Sequence, residues 1–194
     1  MSRYNEEQLE ALQDKRKNQL IHAAIKVIAK RGIKGTKISM IAKEAGVSHG
    51  LFYHYFPSKE ELFTMLIQQA VHTSVAEIEK LLLTPGTPLE KIKLLTNSIL
   101  DENGAPFFML LHQARNSEGI PDQAKQIIND HSMDVYVKLL LPLFQEGQKM
   151  DKISQGPTEE LISTYLTVLS GVMVLGEGYT IPKAEYLLRV ISKT

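Results

Sequence analysis

Apolar positions recur at helical spacing along nearly the whole chain, and nowhere alternate as a half-buried strand requires. Leu20, Ala23, Ala24, Val27 and Ile28 make one apolar face, and Gly32 after them suits a helix C′ position. Thr36 and Ile38 open a second, short helix through Ala45, which Gly46 closes. Ser48 caps a third, and Pro57 stops it. Ser58-Lys59-Glu60-Glu61 reads as a capping box. It starts a fourth helix carrying Leu62, Met65, Leu66, Ala70 and Val71, with an end near Leu82. Further on, TPGTP (84–88), ENGAP (102–106), EGIP (118–121) and SQGP (154–157) punctuate the chain. The segments between them predict helices over 89–100, 107–116, 122–148, 158–174 and 183–191. Pro142 predicts a kink or break inside the third of these. The expected fold class is all-α, with about nine helices and no internal repeat.

Composition changes this picture in two places. The chain has 194 residues, 43% hydrophobic and 23% charged, and no cysteine. That is the make-up of a globular protein without disulfide or thiolate chemistry. The first twenty residues are too polar for a signal peptide. The most apolar stretch, YLTVLSGVMVLG (165–176), is shorter than the roughly 18–20 residues of a membrane span. A soluble, cytoplasmic protein with no membrane partner is therefore expected.

Charge is the second place. The formal net charge is zero, yet it is unevenly distributed. Between Lys15 and Lys59 stand ten basic residues and one acid, Glu44, so the window carries +9 and the remainder −9. A basic block in a neutral chain suggests that one end binds a polyanion. Lys15, Arg16 and Lys17 are either a solvated surface or a flexible arm near a minor groove.

The run from Ile38 to Phe56 gives that end a shape. Two short helices joined by a three- or four-residue turn cross steeply. Ala42 is small enough for the crossing, and Gly46 supplies positive φ cheaply. Ile41, Ala45, Val47 and Phe52 share a small core, and Ser48 caps the second helix. This is helix-turn-helix spacing, whose second helix enters a major groove. On that helix Phe52, Tyr55 and Phe56 favour burial. His49, Gly50, Tyr53 and His54 face elsewhere, with donors and no acid, which suits phosphates and base edges. His49 and His54 are five apart, which is not metal-ligand spacing on a helix, so neither a metal nor a cofactor is expected.

Together, Ala23-Ala24 to Gly32, Gly35-Thr36, Ile41-Ala42-Lys43-Glu44-Ala45-Gly46-Val47-Ser48, Gly50, Tyr53, Tyr55-Phe56 and Ser58-Lys59-Glu60-Glu61-Leu62-Phe63 resemble the DNA-binding domain of the tetracycline-repressor (TetR) family. The resemblance implies a DNA-binding domain over 1–62, with the helix-turn-helix about 38–57, and an effector-binding and dimerisation domain over 63–194. It implies DNA contacts from Thr36, Lys37, Ser39, Ser48, His49, Gly50, Leu51, Tyr53, His54, Tyr55 and Lys59, with Lys59 holding a phosphate at a helix N-terminus. Lys37 stands where Ser or Thr commonly caps the second helix, so the cap is expected to shift to Thr36. Met40 stands where an acid is common, and Leu51 where a threonine is.

In the second half, the 106–115 segment combines a large apolar set with His112, Gln113 and Arg115, the make-up of a ligand pocket. The pocket expected from the resemblance draws on Met65, Phe107, Phe108, Met109, His112, Tyr136 and Tyr165. A stripe of Ser163, Leu166, Thr167, Ser170, Gly171 and Val174, with Leu187, Val190 and Ile191, can form a two-fold helical interface. The expected function is a ligand-responsive transcriptional regulator. It would be a repressor that binds a palindromic double-stranded operator as a homodimer and is released by a small, partly apolar effector. An enzyme with a DNA-docking module is the rival reading, although no catalytic constellation supports it. A chromosome-coating protein is a second rival.

Overall fold

The computed structural model describes residues 6–101, 104–175 and 179–193, with side chains from residue 13 onward. Glu102 and Asn103 of the ENGAP break, Gly176 and the first five residues lie outside the described part. The elements in chain order are α1 (Glu6–Gly35), α2 (Ile38–Glu44), α3 (His49–Tyr55), α4 (Lys59–Leu83), α5 (Pro88–Leu100), α6 (Gly104–Asn116), α7 (Asp122–Asp130), α8 (Met133–Lys149), α9 (Thr158–Leu175) and α10 (Ala184–Leu187). A 3-10 turn, Leu188–Val190, follows. The described residues contain no strand beyond one isolated bridge, Ile153 to Ser192. The fold is all-α.

Local chemistry explains most of the ends. Ser48 accepts the Leu51 N–H at 3.3 Å and starts α3; Ser58 accepts the Glu61 N–H at 3.0 Å and starts α4. Thr87 and Glu90 cap each other reciprocally, with Pro88 in the first turn of α5, where its missing N–H costs nothing. At Gly32 the backbone leaves helical geometry (φ 68°, ψ 169°), so α1 is kinked there before a last turn to Gly35.

Several expectations change. Helix α1 begins well before Leu20, which places Lys15, Arg16 and Lys17 on a helix rather than on a flexible arm. The expected 122–148 helix breaks at His131 and not at Pro142. His131 adopts φ −121°, ψ 52°, its ring Nδ1 lies 2.9 Å from the Ile127 carbonyl, and its own carbonyl accepts from Arg115 at 3.2 Å. Pro142 sits on the exposed side of a continuous α8, so only one helical hydrogen bond is forfeited. The last expected helix is one short turn of α-helix running into a 3-10 turn. Helix α9 starts ahead of the 165–176 stretch. By length and composition alone it is now long and apolar enough to cross a membrane, yet only 28% of it is buried within the chain.

Two apolar clusters organise the packing. In the first, Leu20, Ala24 and Ile28 of α1, Ile41 of α2 and Phe52 of α3 meet Leu62, Phe63 and Leu66 of α4. Leu110 and Leu111 of α6 and Ala124 of α7 belong to the same cluster. Burying Phe52 completely stabilises this junction by about 2 kcal/mol. The second cluster joins Ile78 of α4 to Ile92 of α5, Leu140 and Phe144 of α8, Ile162 and Leu169 of α9, and Ile191. Helix α4 thus contributes to both clusters, and no gap in packing marks residue 62.

Candidate nucleic-acid interface and interior cavity

The α2–α3 pair has the geometry its residues call for. Ala42 is buried at the crossing, Gly46 has φ 65°, and the Val47 N–H reaches back to the Ala42 carbonyl at 3.0 Å. Ile41 and Phe52 are fully buried, and Ala45, Val47 and Tyr55 pack against them. Turning α3 by its Phe52 and Phe56 anchors leaves His49, Gly50, Tyr53 and His54 exposed on the opposite side. Tyr53 is 51% exposed, with its ring edge-on to His49 at 5.4 Å. His54 stands against Tyr55 at 5.0 Å. Lys37, Ser39 and Ser48 are also exposed, and Leu51 is half-buried. A Cβ at Gly50 would meet nothing within 4 Å.

Two of the expected DNA contacts are spoken for inside the chain. Thr36 is 1% exposed, and its hydroxyl donates to the Gly32 carbonyl at 2.7 Å. It therefore neither reaches a surface nor caps α2; the N-cap is Lys37, without a side-chain bond. The Lys59 ammonium donates to the Ile33 carbonyl at 3.0 Å and to the Thr36 carbonyl at 3.1 Å. It fastens the start of α4 to the carbonyls around the α1 kink rather than waiting for a phosphate. Lys26 of α1 pairs with Glu44 of α2 at 2.6 Å. Their hydrogen bond holds the Glu44 carboxyl below its ordinary pKa and the Lys26 ammonium above its own.

Below this module lies a cavity of about 250 Å³. Ala70, Ser74 and Ile78 of α4 line it from one side, and Leu95, Ser98 and Ile99 of α5 from another. Phe107, Phe108, Leu111 and Arg115 of α6, Tyr136 and Leu140 of α8 and Leu166 of α9 add to the lining. Ser74 donates to the Val71 carbonyl at 2.9 Å, so at 2.8 Å it accepts from the Tyr136 hydroxyl. The Arg115 guanidinium lies 5.5 Å from the Tyr136 ring centre. One of its terminal nitrogens donates to the His131 carbonyl, while its buried Nε has no hydrogen-bond partner among the described residues.

Of the expected pocket residues, Phe107, Phe108 and Tyr136 line this cavity and the other four do not. Met65 packs against the first apolar cluster. Tyr165 is buried with its hydroxyl 2.8 Å from Thr96; burial pushes its phenol up, and the bond to Thr96 pulls it partly back. Met109 and His112 lie on other sides of α6. Residues 107, 108, 111 and 115 share one helical phase, and 109, 112 and 113 fall outside it. That phase was the available signal for preferring Arg115 to His112 and Gln113, the three polar residues that the 106–115 segment offered. Gln113, on the far side of α6, donates to the Ala29 carbonyl of α1, next to the Gly32 kink.

The expected interface stripe also divides. Ser163, Thr167, Gly171 and Val174 are exposed along one side of α9, and Val190 is exposed as well. Ser170 is half-buried and donates to the Leu166 carbonyl at 2.8 Å. Leu166 belongs to the cavity wall, while Leu187 and Ile191 are buried in the second cluster; none of these three can meet a partner. No group of three or more His, Asp or Glu able to hold a metal occurs among the described residues.

An outward-facing second helix on a helix-turn-helix, carried by a larger helical body with its own cavity, defines a class: DNA-binding regulators. Residues 20–66 match the family model described as "Bacterial regulatory proteins, tetR family". The fatty acid metabolism regulator protein of Bacillus subtilis is 31% identical over 143 residues, 71% of each chain. Among solved structures, Bacillus subtilis FadR in complex with stearoyl-CoA superposes with a TM-score of 0.60 at 24% identity, covering 89% of this chain and 94% of that one. A Saccharomonospora viridis regulator in complex with choline gives a TM-score of 0.70 at 17% identity, covering 93% of this chain and 100% of that one. The chain belongs to the TetR family of bacterial regulatory proteins, as a DNA-binding transcriptional regulator.

Proposed function

We propose that the chain is a homodimeric repressor of the cytoplasm. Residues 1–62 form its DNA-binding part and 63–194 its effector and dimerisation part. The reading is carried by the outer face of α3. His49, Tyr53 and His54 cover no core there, and Gly50 answers no packing need inside the chain. Glycine costs a helix about 1 kcal/mol relative to alanine, and a close approach to a sugar-phosphate backbone gives that cost a use. Lys37, Ser39 and Ser48 flank this face, with Leu51 and Tyr55 at its edge.

One such helix reads too few bases, so two copies about 34 Å apart meet successive major grooves. The uncovered side of α9 supports the second copy. Its exposed hydroxyls at Ser163 and Thr167 and the small Gly171 allow close helix packing. The effector site is the α4–α5–α6–α8 cavity. The ligands of the two similar structures, stearoyl-CoA and choline, differ in chemistry, so the effector's nature has to come from this cavity's own residues.

Coupling runs through α4, which extends from Lys59 at the kink of α1 to Ile78 at the cavity, and through α6, with Gln113 on α1 and Arg115 in the cavity wall. An effector that favours the wrong spacing of the two α3 helices lowers operator affinity by its differential affinity for the two states. The test is fluorescence anisotropy on the DNA upstream of the chain's own coding region. A saturable, salt-dependent complex of one dimer per site is expected; no complex at low salt removes the reading.

A further inference from the structure

We infer that the cavity takes a compact amphipathic carboxylate, with its acid group on Arg115 and its hydrocarbon body among Phe107, Phe108, Ile99 and Leu140. The inference rests on the regulator reading above and adds the ligand's chemistry. Three observations carry it. First, the Arg115 Nε is buried without a hydrogen-bond partner, and the guanidinium has no ion pair among the described residues. Among the described residues its partners are the His131 carbonyl at 3.2 Å and the face of Tyr136. A permanently charged group with a spare planar donor fits a carboxylate, which both neutralises it and accepts from it.

Second, the rest of the lining is mainly apolar, with Thr73, Ser98, Glu77 and Asp101 as its other polar residues, and the Ser74–Tyr136 hydroxyl pair satisfies itself. Most of the wall that meets the body of the ligand is therefore hydrocarbon. Third, the volume of about 250 Å³ falls below the roughly 300–1,000 Å³ of pockets for drug-sized ligands. A short hydrocarbon chain fits; a coenzyme-bearing one does not fit this cavity whole.

A small quaternary cation is the opposing class, since aromatic rings line the cavity together with Glu77 and Asp101. It is disfavoured because Tyr136 already has a cation over its ring. Both carboxylates also belong to exposed residues, where water screens them. A second positive charge placed beside the under-compensated Arg115 raises the energy of both.

Isothermal titration calorimetry on the full chain tests this with octanoate, octan-1-ol and choline as probes. Octanoate is expected to bind once per chain, about tenfold or more tighter than octan-1-ol, as a charge-assisted hydrogen bond provides. Choline is expected to give no heat. Arg115→Gln should bring octanoate down to the alcohol's affinity while leaving the alcohol unchanged. Because Arg115 also holds the α7–α8 turn, Ile99→Phe provides a second variant. It keeps the cation but fills the cavity, and should lose both probes. Equal binding of acid and alcohol, preference for choline, or an undiminished octanoate affinity in either variant overturns the assignment. The same preparations are titrated with the upstream DNA. Loss of DNA binding there defeats the regulator reading without touching the calorimetry, and a failed octanoate titration leaves DNA binding standing.

Discussion

Single side chains divide between those that hold the DNA-reading helix and those it presents. Lys59 belongs to the first group. Lys59→Met removes a charged donor from two carbonyls and should lower stability by about 1–3 kcal/mol. In denaturant titrations this appears as an earlier midpoint, and the slope of DNA affinity against salt is expected not to change. His49 and Tyr53 belong to the second group. His49→Ala should alter which operator variants bind best, measured by competition with single-base substitutions, at unchanged thermal stability. Tyr53→Phe should weaken all sequences alike. Glu44 gives a pH signature. Its carboxyl is held below 4.5 in the folded chain, so its contribution is present above that pH and fades as pH falls through the lowered value. Glu44→Gln should therefore destabilise at neutral pH, and the difference from wild type should vanish on acidification.

At the scale of elements, turns and caps are where substitutions act. Gly46→Ala forces a side chain into positive φ and should cost about 1–2 kcal/mol, loosening α2 from α3. A Cβ on Gly147 would press into the Ile153 side chain, which is itself fully buried. Gly147→Ala should lower the melting temperature without changing DNA affinity. These elements also show what could be read from the chain beforehand. The α2–α3 unit was legible because its signals are local: a small residue at the crossing, a glycine at positive φ, a serine cap, aromatics spaced to one side. The break at His131 was not, because apolar spacing continues through Ile127 and Ile128 into α8, and the turn is held by Arg115 from another helix. Pro142 misled because a proline on an outer face can ride in a helix.

The cavity was half legible for the same reason. Helical phase can select Phe107, Phe108 and Arg115 together. Whether space remains between them and Tyr136 depends on how five helices pack, which no spacing encodes. Lys59 and Thr36 matched a sequence pattern, but the kink at Gly32 presents carbonyls that claim both.

For the whole molecule, the proposed two-fold assembly rests on the uncovered side of α9. Thr167→Glu should put like charges across a two-fold axis, halve the mass seen by sedimentation, leave helical content intact and remove cooperative operator binding. The link between α6 and α1 is testable too. Gln113→Ala should leave effector affinity of the free protein unchanged while shrinking the effector's power to release DNA, measured as the ratio of operator affinities with and without ligand.

Helix α4 runs unbroken for 25 residues, with its first turn pinned by Lys59 and its middle in the cavity wall. A shared rod transmits in both directions. Whatever factor the small molecule takes from operator affinity, the operator must take from the small molecule's affinity. On the proposed reading, the copies seated on promoters are then the last to respond to a rising effector concentration. The unbound pool acts as its first reservoir, so the switching threshold is set by how many promoters and how many protein copies share that pool.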